Sequence, residues 1–395
     1  MPPESSLSKR IKRHVIGRRR NYFAATSPGF EQLCLNELQA LPLFVQQASV
    51  LPGGFEFKGR LQDCYLANLN LRSANRILMR IQTIKAANFN QFQKELSDIP
   101  WELYLRAEQY PKIHVTTRHC RLYHTEALSE RFLSSIADRM AKIEFTDECE
   151  ELSSLKQKIY VRGLDDRFTL SIDSSGDNLY KRGIKRHFGP APLRETMAAA
   201  ALMLAGYTGK EPLIDPMCGS GTLSLEAALI AKKMPPGWFR EFAFMNWPSF
   251  RPKRWEYLKR QSEKEFLTLK KPLIWASDVN PSACSQLKEC VAKFSLSDAI
   301  NVAHRNFFDL VPADMTDQIG LVAINPPYGR RIGSRRESNQ LFKAVCNRLR
   351  QHYKGWKFAV VVPDKKLANY IPSQSRAYPF AHGGLKPMLM IGRMS

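Results

Sequence analysis

The sequence predicts an α/β chain, with a doubly wound, mainly parallel sheet over its C-terminal half and an α+β region before it. Three observations carry this. From about residue 190, short near-continuous apolar runs alternate with segments of helical spacing, as in strands buried on both faces and joined by crossover helices. Before that, short alternating runs are interleaved with amphipathic helices, the pattern of an α+β layer. Between them, 174–192 is rich in Gly, Ser, Pro and basic residues and reads as a linker or hinge.

Residues 1–20, "MPPESSLSKRIKRHVIGRRR", hold seven Lys/Arg and one Glu. Without a clear amphipathic stripe they read as a flexible basic arm touching phosphates, not as a targeting presequence. A start with no role is the plain alternative. A strand is expected over 21–27. A helix follows over 30–41, with Phe30, Leu33, Cys34, Leu38 and Leu41 on one face and Pro42 closing it. "GGFEFKG" (53–59) alternates as a strand, and 61–81 starts as a helix and passes into a strand. A second module holds a strand at 112–120 and a helix at 125–143, with Leu128, Phe132, Ile136 and Met140 in line. A hairpin at 158–173 turns around Gly163-Leu164-Asp165-Asp166.

In the linker, Lys181, Arg182, Lys185, Arg186 and His187 surround Gly183. They read as a phosphate-contacting cluster or as a solvated turn. Beyond it, strands are expected at 212–215, 272–278, 300–309, 319–327 and 357–363, and helices at 222–233, 282–294 and 338–353. The alanine-rich run from Met197 to Gly206 reads as a buried helix. No apolar run approaches the roughly 18 residues of a membrane span, so no membrane partner is expected.

At about 100–200 residues per domain, 395 residues imply two or three domains. The net charge of +22, from 59 Lys+Arg against 37 Asp+Glu, points to a polyanionic partner, nucleic acid above all. The alternative is a basic surface kept for solubility. The eight cysteines are scattered and none has C-x-x-C spacing, so no metal site is expected and the thiols read as free, in a reducing cytoplasmic setting.

Two strings carry chemistry. "LIDPMCGSGTLSLEAALIA" (213–231) is a strand, a glycine turn and a helix. Gly219 and Gly221 allow close approach and a tight turn. No Gly-Lys-Ser/Thr follows, so it is not a phosphate loop, and the dinucleotide pattern G-x-G-x-x-G fails at Ser224. Asp215 would repel a pyrophosphate and suits a cationic ligand. S-adenosylmethionine, with a sulfonium and an ammonium and no phosphate, fits that demand. Asp278 ends the next strand, where an acid can accept ribose hydroxyls. The second string is "INPPYGRRIG" (324–333). An aromatic exocyclic amine is a poor nucleophile and gains positive charge as it is methylated. The side-chain oxygen of Asn325 and the carbonyl of Pro326 can accept its two N–H bonds, Pro326-Pro327 restricts the backbone, and Tyr328 can stack on the base. This corner specifies a planar nitrogen, not which one. Arg330, Arg331, Arg335 and Arg336 follow, as phosphate contacts or a solvated loop.

These strings resemble class I S-adenosylmethionine-dependent methyltransferases, and more narrowly the THUMP-containing RNA guanine-N2 methyltransferases. The resemblance runs through "LNLRSANRIL" (69–78), "SSGDNLYKRGI" (174–184), "APLRETMAAAAL" (191–202), "DPMCGSGT" (215–222), "FAFMNWPSF" (242–250) and "NPPYGRRI" (325–332). It is greatest to the bacterial 23S ribosomal RNA guanine-N2 methyltransferase domain. It implies a ferredoxin-like region over 21–60 after the arm of 1–20, a THUMP RNA-binding domain over 61–175, a basic linker over 176–189 and a Rossmann-like methyltransferase domain over 190–395. It implies that Asp215, Gly219 and Gly221 hold the methionine end of S-adenosylmethionine, with Pro216, Cys218, Thr222 and Asn325 in the same cofactor set. It also implies that Thr196 closes over the pocket and that Asp278 binds the ribose. The acid that relatives carry for the adenine amine is replaced by Asn306, with Asp309 three residues on. Their Asn-x-x-x-x-Gly stands here as Cys290 and Ser295.

The expected function is methyl transfer to guanine N2 in large-subunit ribosomal RNA by a monomer. A transfer RNA target, adenine-N6 chemistry and a non-catalytic RNA-binding assembly factor stay open.

Overall fold

The computed structural model describes residues 6–43, 45–106, 110–143, 156–184, 193–327, 334–371, 374–380 and 387–395. The chain forms two compact units. One comprises Met1–Thr26, Leu35–Leu179 and Arg240–Lys259; the other comprises Ser27–Cys34, Tyr180–Phe239 and Arg260–Ser395.

The first unit opens with helix α1 (Ser6–Ile11), which runs into a π-helical turn, Lys12–Ile16. The expected flexible arm is therefore folded from residue 6 onward. Ile11 and Val15, four residues apart, are both buried and fasten it. There follow β1 (Arg20–Thr26), α2 (Glu31–Gln39, whose first four residues fall in the other unit), β2 (Gln46–Leu51), β3 (Gly54–Gly59), α3 (Leu61–Asn70), β4 (Ala74–Lys85), α4 (Phe89–Ser97), β5 (Lys112–Arg118), α5 (Thr125–Met140), β6 (Lys158–Leu164) and β7 (Arg167–Asp173). The two modules expected before residue 174 share one seven-stranded sheet, ordered β2-β3-β1-β4-β7-β6-β5. The 12-residue β4 joins them, pairing antiparallel with β1 on one side and β7 on the other. The β6–β7 turn is tighter than expected: Asp165 and Asp166, both at positive φ, make a two-residue hairpin loop.

Two stretches depart from expectation. Residues 174–179 do not behave as a solvated linker. Ser174, Ser175 and Leu179 are buried, and Arg240 donates to the carbonyls of Ser175, Asp177 and Asn178. The aromatic insert after residue 239, placed by sequence inside the catalytic stretch, packs within the first unit. Phe244 stacks on Tyr65 at 4.3 Å between ring centroids, and Trp247 donates its indole N–H to Gln157 Oε1 at 3.0 Å. Aromatic rings at irregular spacing carry no period that would show which sheet they cover.

The second unit continues with α6 (Glu195–Leu204), β8 (Leu213–Asp215), α7 (Thr222–Ala231), β9 (Ile274–Asp278), α9 (Pro281–Lys293), β10 (Ile300–His304), β11 (Leu321–Ile324), α10 (Arg335–His352), β12 (Lys357–Val362), β13 (Ser375–Pro379) and β14 (Met388–Arg393). Helix α8 (Pro252–Glu263) lies between α7 and β9 in sequence. The sheet order is β10-β9-β8-β11-β12-β14-β13; the first five strands are parallel, and β14 is antiparallel to both its neighbours. All four residues of β11 are buried, as a strand covered on both faces requires. Strand order reverses between β8 and β11, so a crevice opens past their carboxyl ends. The strand expected over 300–309 stops at His304 and gives way to a 3₁₀ turn, Phe307–Asp309.

Candidate active site

At that reversal point a cavity of about 850 Å³ is bounded by the loop after β8, the ends of β9 and β10, and the end of β11. Its wall includes Asp215, Pro216, Cys218, Gly219, Thr222, Asp278, Asn306, Asn325 and Pro327, so most of the residues singled out for the cofactor are brought together.

The loop is built by hydrogen bonds. Asp278 Oδ2 accepts from the Gly219 amide at 2.8 Å and Oδ1 from the Asn280 amide at 2.9 Å. Asn280 in turn caps α9, its side chain accepting from Ser282 and Ala283. Asp215 is buried at the end of β8, and its Oδ2 accepts the Ser224 hydroxyl at 2.6 Å and the Ser224 amide at 3.2 Å. The serine that breaks the dinucleotide pattern is thus the residue that orients Asp215. The two glycines divide their work. Gly219, at φ +50, lines the cavity, and a Cβ there would meet nothing within 4 Å, which leaves room for a ligand against the backbone. Gly221, at φ +73, does not line it; a Cβ there would come within 2.4 Å of Leu287 Cδ1, so its place is set by packing on α9.

Electrostatically, the described wall contains two carboxylates, Asp215 and Asp278, and no Lys or Arg. A wall of that sign favours a cation and disfavours a pyrophosphate. Burial, and then the charges of Asp215 and Asp278, push the Cys218 thiol well above its ordinary value, so it stands in the wall as a neutral group. Among the described residues no cluster of His, Cys, Asp and Glu could hold a metal ion, and no helix is long and apolar enough to cross a membrane.

The acceptor predicted to grip the substrate is present. Asn325 follows β11 into the cavity wall, and its Oδ1 is buried without a hydrogen-bond partner among the described residues. A buried amide oxygen left unpaired costs about 1–3 kcal/mol, so this atom awaits a donor. Pro327 lines the cavity beside it; Pro326, between the two, is buried. Tyr328, Arg330 and Arg331 lie outside the described residues, as do Lys185, Arg186 and His187. Arg335 opens α10 and Arg336 is exposed on its first turn.

Other expectations are corrected. Thr196 is buried in α6 and is not part of the described wall; Leu193, three residues earlier, is. Arg182 cannot meet a phosphate, because it is buried and its Nε pairs with Glu226 Oε1 at 2.9 Å. A carboxylate in the middle of the buried helix α7 needs that cation. Lys181, next to it, is exposed. Asn306 lines the cavity and Asp309 does not, but Asn306 Oδ1 already accepts from the Phe308 amide at 3.1 Å, capping the 3₁₀ turn. That turn also brings Phe307 and Phe308 to the wall, two flat apolar surfaces to which the sequence assigned no role.

Comparison with known proteins places the arrangement. Residues 182–382 match the family described as RMKL-like, methyltransferase domain. The chain belongs to that methyltransferase family. Residues 21–78 match the RlmL ferredoxin-like domain, so that region extends beyond the expected end at 60 and takes in the start of β4. A Synechocystis protein, slr0064, named as a candidate RNA methyltransferase, is 32% identical over 374 residues, 94% of this chain and 96% of its own length. The ribosomal RNA large subunit methyltransferase K/L of Syntrophotalea carbinolica is 30% identical over 379 residues, 93% of this chain and 53% of its own length. The chain thus spans about half the length of its K/L relatives. Among solved structures, a Listeria monocytogenes chain described as a "predicted N6-adenine-specific DNA methylase" superposes with a TM-score of 0.83 at 25% identity, over 96% of this chain and 97% of that one. The methyltransferase SMU.472, described as complexed with SAH, has the same fold, with a TM-score of 0.82 at 24% identity over 96% and 99% of the two chains. The cofactor of this methyltransferase-family chain is S-adenosylmethionine, and the cavity fits it: two carboxylates and no basic side chain among the described wall residues, an open glycine edge at Gly219, and two phenylalanines.

Proposed function

We propose that this chain is an RNA methyltransferase that modifies the exocyclic N2 amine of a guanine in large-subunit ribosomal RNA. The observation that carries the reading is Asn325 Oδ1, a buried acceptor without a partner among the described residues, at the end of β11 in the cavity that the Gly219 loop also lines. Support for the target comes from the K/L relatives, named for large-subunit ribosomal RNA, and from the resemblance of the sequence to guanine-N2 methyltransferases. The net charge of +22 supports a polyanionic substrate, and the first unit supplies the THUMP-like share of its recognition.

S-adenosylmethionine supplies a methyl group on a sulfonium, an electrophile that needs no metal. The residues do the rest. Asp215, oriented by Ser224, faces the cationic end of the cofactor. Asp278 holds the loop at Gly219 and keeps lone pairs for ribose hydroxyls, since a carboxylate offers about four acceptor sites. Phe307 and Phe308 offer apolar faces to the adenine, and the side-chain N–H groups of Asn306, without a partner among the described residues, suit its edge. Asn325 Oδ1, with the Pro326 carbonyl, accepts the N–H bonds of the target amine, which directs its lone pair at the methyl and stabilises the charge that develops. Tyr328 is the ring proposed to stack on the flipped base. After transfer the nitrogen is acidic, and water takes the proton.

The test is to delete the gene and map methylated nucleosides in ribosomal and transfer RNA by mass spectrometry. Loss of one N2-methylguanine from large-subunit RNA is expected. Loss from transfer RNA would move the target. Loss of an N6-methyladenine alone would overturn the guanine assignment in favour of the adenine chemistry named for the Listeria neighbour.

A further inference from the structure

The segment 6–20 lies outside both family matches, which begin at residues 21 and 182, and the site does not use it. It carries seven Lys/Arg and no acidic residue. So short a helix is marginal alone in water, yet here it is held at four points. Ile11 and Val15 are buried. Arg10 Nη2 pairs with Glu102 Oε1 at 2.7 Å, and Glu102 is itself buried and also held by Arg139. Arg20 Nη2 donates to the His14 carbonyl and to Tyr104 Oη. The Gly17 amide closes the π turn on the Lys12 carbonyl at 2.8 Å.

Of the seven cations, Arg10 and Arg20 hold the fold, through Glu102 and through the His14 carbonyl and Tyr104, although Arg10 stays partly exposed. Lys9, Arg13 and Arg18 are exposed and make no ion pair among the described residues. The positive surface continues into a hollow of about 540 Å³ edged by Arg19, Arg20, Asn21, Thr83 and Arg80, whose one carboxylate, Glu56, is paired with Arg80 at 2.9 Å. His14 registers the local field. Burial first, and then Arg18, Arg13, Arg10 and Arg20, push its imidazole below the ordinary value, so it adds no charge of its own at neutral pH.

We propose that residues 6–20 are a pre-folded RNA-docking ridge, in which Lys9, Arg13 and Arg18 bind the phosphodiester backbone outside the catalytic cavity. The partner follows from chemistry. A helix that lies on a membrane presents an apolar face. Here Ile11 and Val15 face the protein, and none of the exposed large apolar residues among those described lies in 6–20. A single free phosphate would need one converging pocket, whereas these charges are spread along the segment at about 1.5 Å per helical residue, a spacing suited to a polymer. Because the ridge is ordered before binding, it adds affinity without the ordering cost of a free arm. That the polymer is RNA rests on the methyltransferase reading above.

The experiment measures binding of the full chain to a fluorescent single-stranded RNA of about 20 nucleotides across a salt series, for wild type and for Lys9→Gln/Arg13→Gln/Arg18→Gln. At about 0.7 per neutralised phosphate, the slope of log K against log salt should shrink by about 2 in the triple variant. The charge-preserving Lys9→Arg/Arg13→Lys/Arg18→Lys should keep it. Amide exchange over 6–16 checks that the ridge stays folded. If it opens, Arg18→Gln, outside the helical turns, carries the same comparison with a change of about 0.7. An unchanged slope overturns the proposal. So does loss of binding to phosphatidylglycerol vesicles with RNA binding intact. Methyl transfer to ribosomal RNA is scored separately. A wild type that binds RNA through these residues but methylates none leaves the ridge standing and sinks the catalytic reading. A triple variant that methylates with unchanged KM for RNA does the reverse.

Discussion

Asp278 Oδ2 accepts the Gly219 amide at 2.8 Å, so the acid that ends β9 fixes the loop that leaves β8. Its other oxygen fixes the start of α9 through the Asn280 amide. One carboxylate therefore shapes the cavity edge and stands ready for a ligand hydroxyl. Removing it loses charged hydrogen bonds of about 1.5–3 kcal/mol each. Asp278→Ala should weaken S-adenosylmethionine binding by roughly 100-fold, and Asp278→Asn by less, because one amide oxygen still accepts. Calorimetric titration reads this directly, and an unchanged affinity would contradict the assignment.

Asn325 makes the complementary prediction. Its Oδ1 has no partner among the described residues, so truncation removes an interaction made with substrate and leaves the resting fold nearly intact. Asn325→Ala should lower kcat by about 100-fold or more, with cofactor affinity changed less than about threefold. Asn325→Asp tests the same atom by charge: a carboxylate keeps the acceptor but loses the amide donors, so partial activity is expected. Single-turnover methyl transfer separates these outcomes from slow product release.

The strands after residue 212 and the loops that end them were legible because each is a local string: a buried apolar run, a glycine pair with acid before it, an amide followed by two prolines. The wall contributed by Phe307 and Phe308 was not, because a 3₁₀ turn after β10 looks like a continuing strand in an apolar run. Strands β13 and β14 went unread because they form an antiparallel pair added to a pattern of parallel strands, β14 joining β12 from about 30 residues on. Segment 6–20 was read as an arm because only four apolar residues, Leu7, Ile11, Val15 and Ile16, stand among seven cations; the spacing of four that links Leu7, Ile11 and Val15 was the available signal. Arg182 was misread because its neighbours are basic and its partner, Glu226, lies 44 residues on in α7.

That pair gives a stability prediction. Glu226 is fully buried in α7 and Arg182 nearly so, and removing one partner strands the other charge. Arg182→Ala should destabilise the second unit by about 3–5 kcal/mol, and Arg182→Lys by less, since an ammonium keeps charge but loses the fork. The double change Arg182→Met/Glu226→Leu should recover much of the loss. Were Arg182 a phosphate contact instead, Arg182→Ala would weaken RNA binding at unchanged melting temperature.

Glu102 supplies the pH dependence. Burial pushes its carboxyl up, but hydrogen bonds from Arg139 and Arg10 outweigh this and hold it below the usual carboxylate range. A folded-state value below the unfolded one, about 4.3, means that the stabilisation is fully present above that value and fades as pH falls through the lower folded value. Glu102→Gln should therefore cost about 2 kcal/mol at pH 7, and the gap between variant and wild type should close below about pH 4. Because Glu102 also clamps α1 through Arg10, hydrogen exchange over 6–16 should quicken in the variant at neutral pH and match the wild type in acid. A difference that stays constant with pH would show that Glu102 acts through packing and not through its charge.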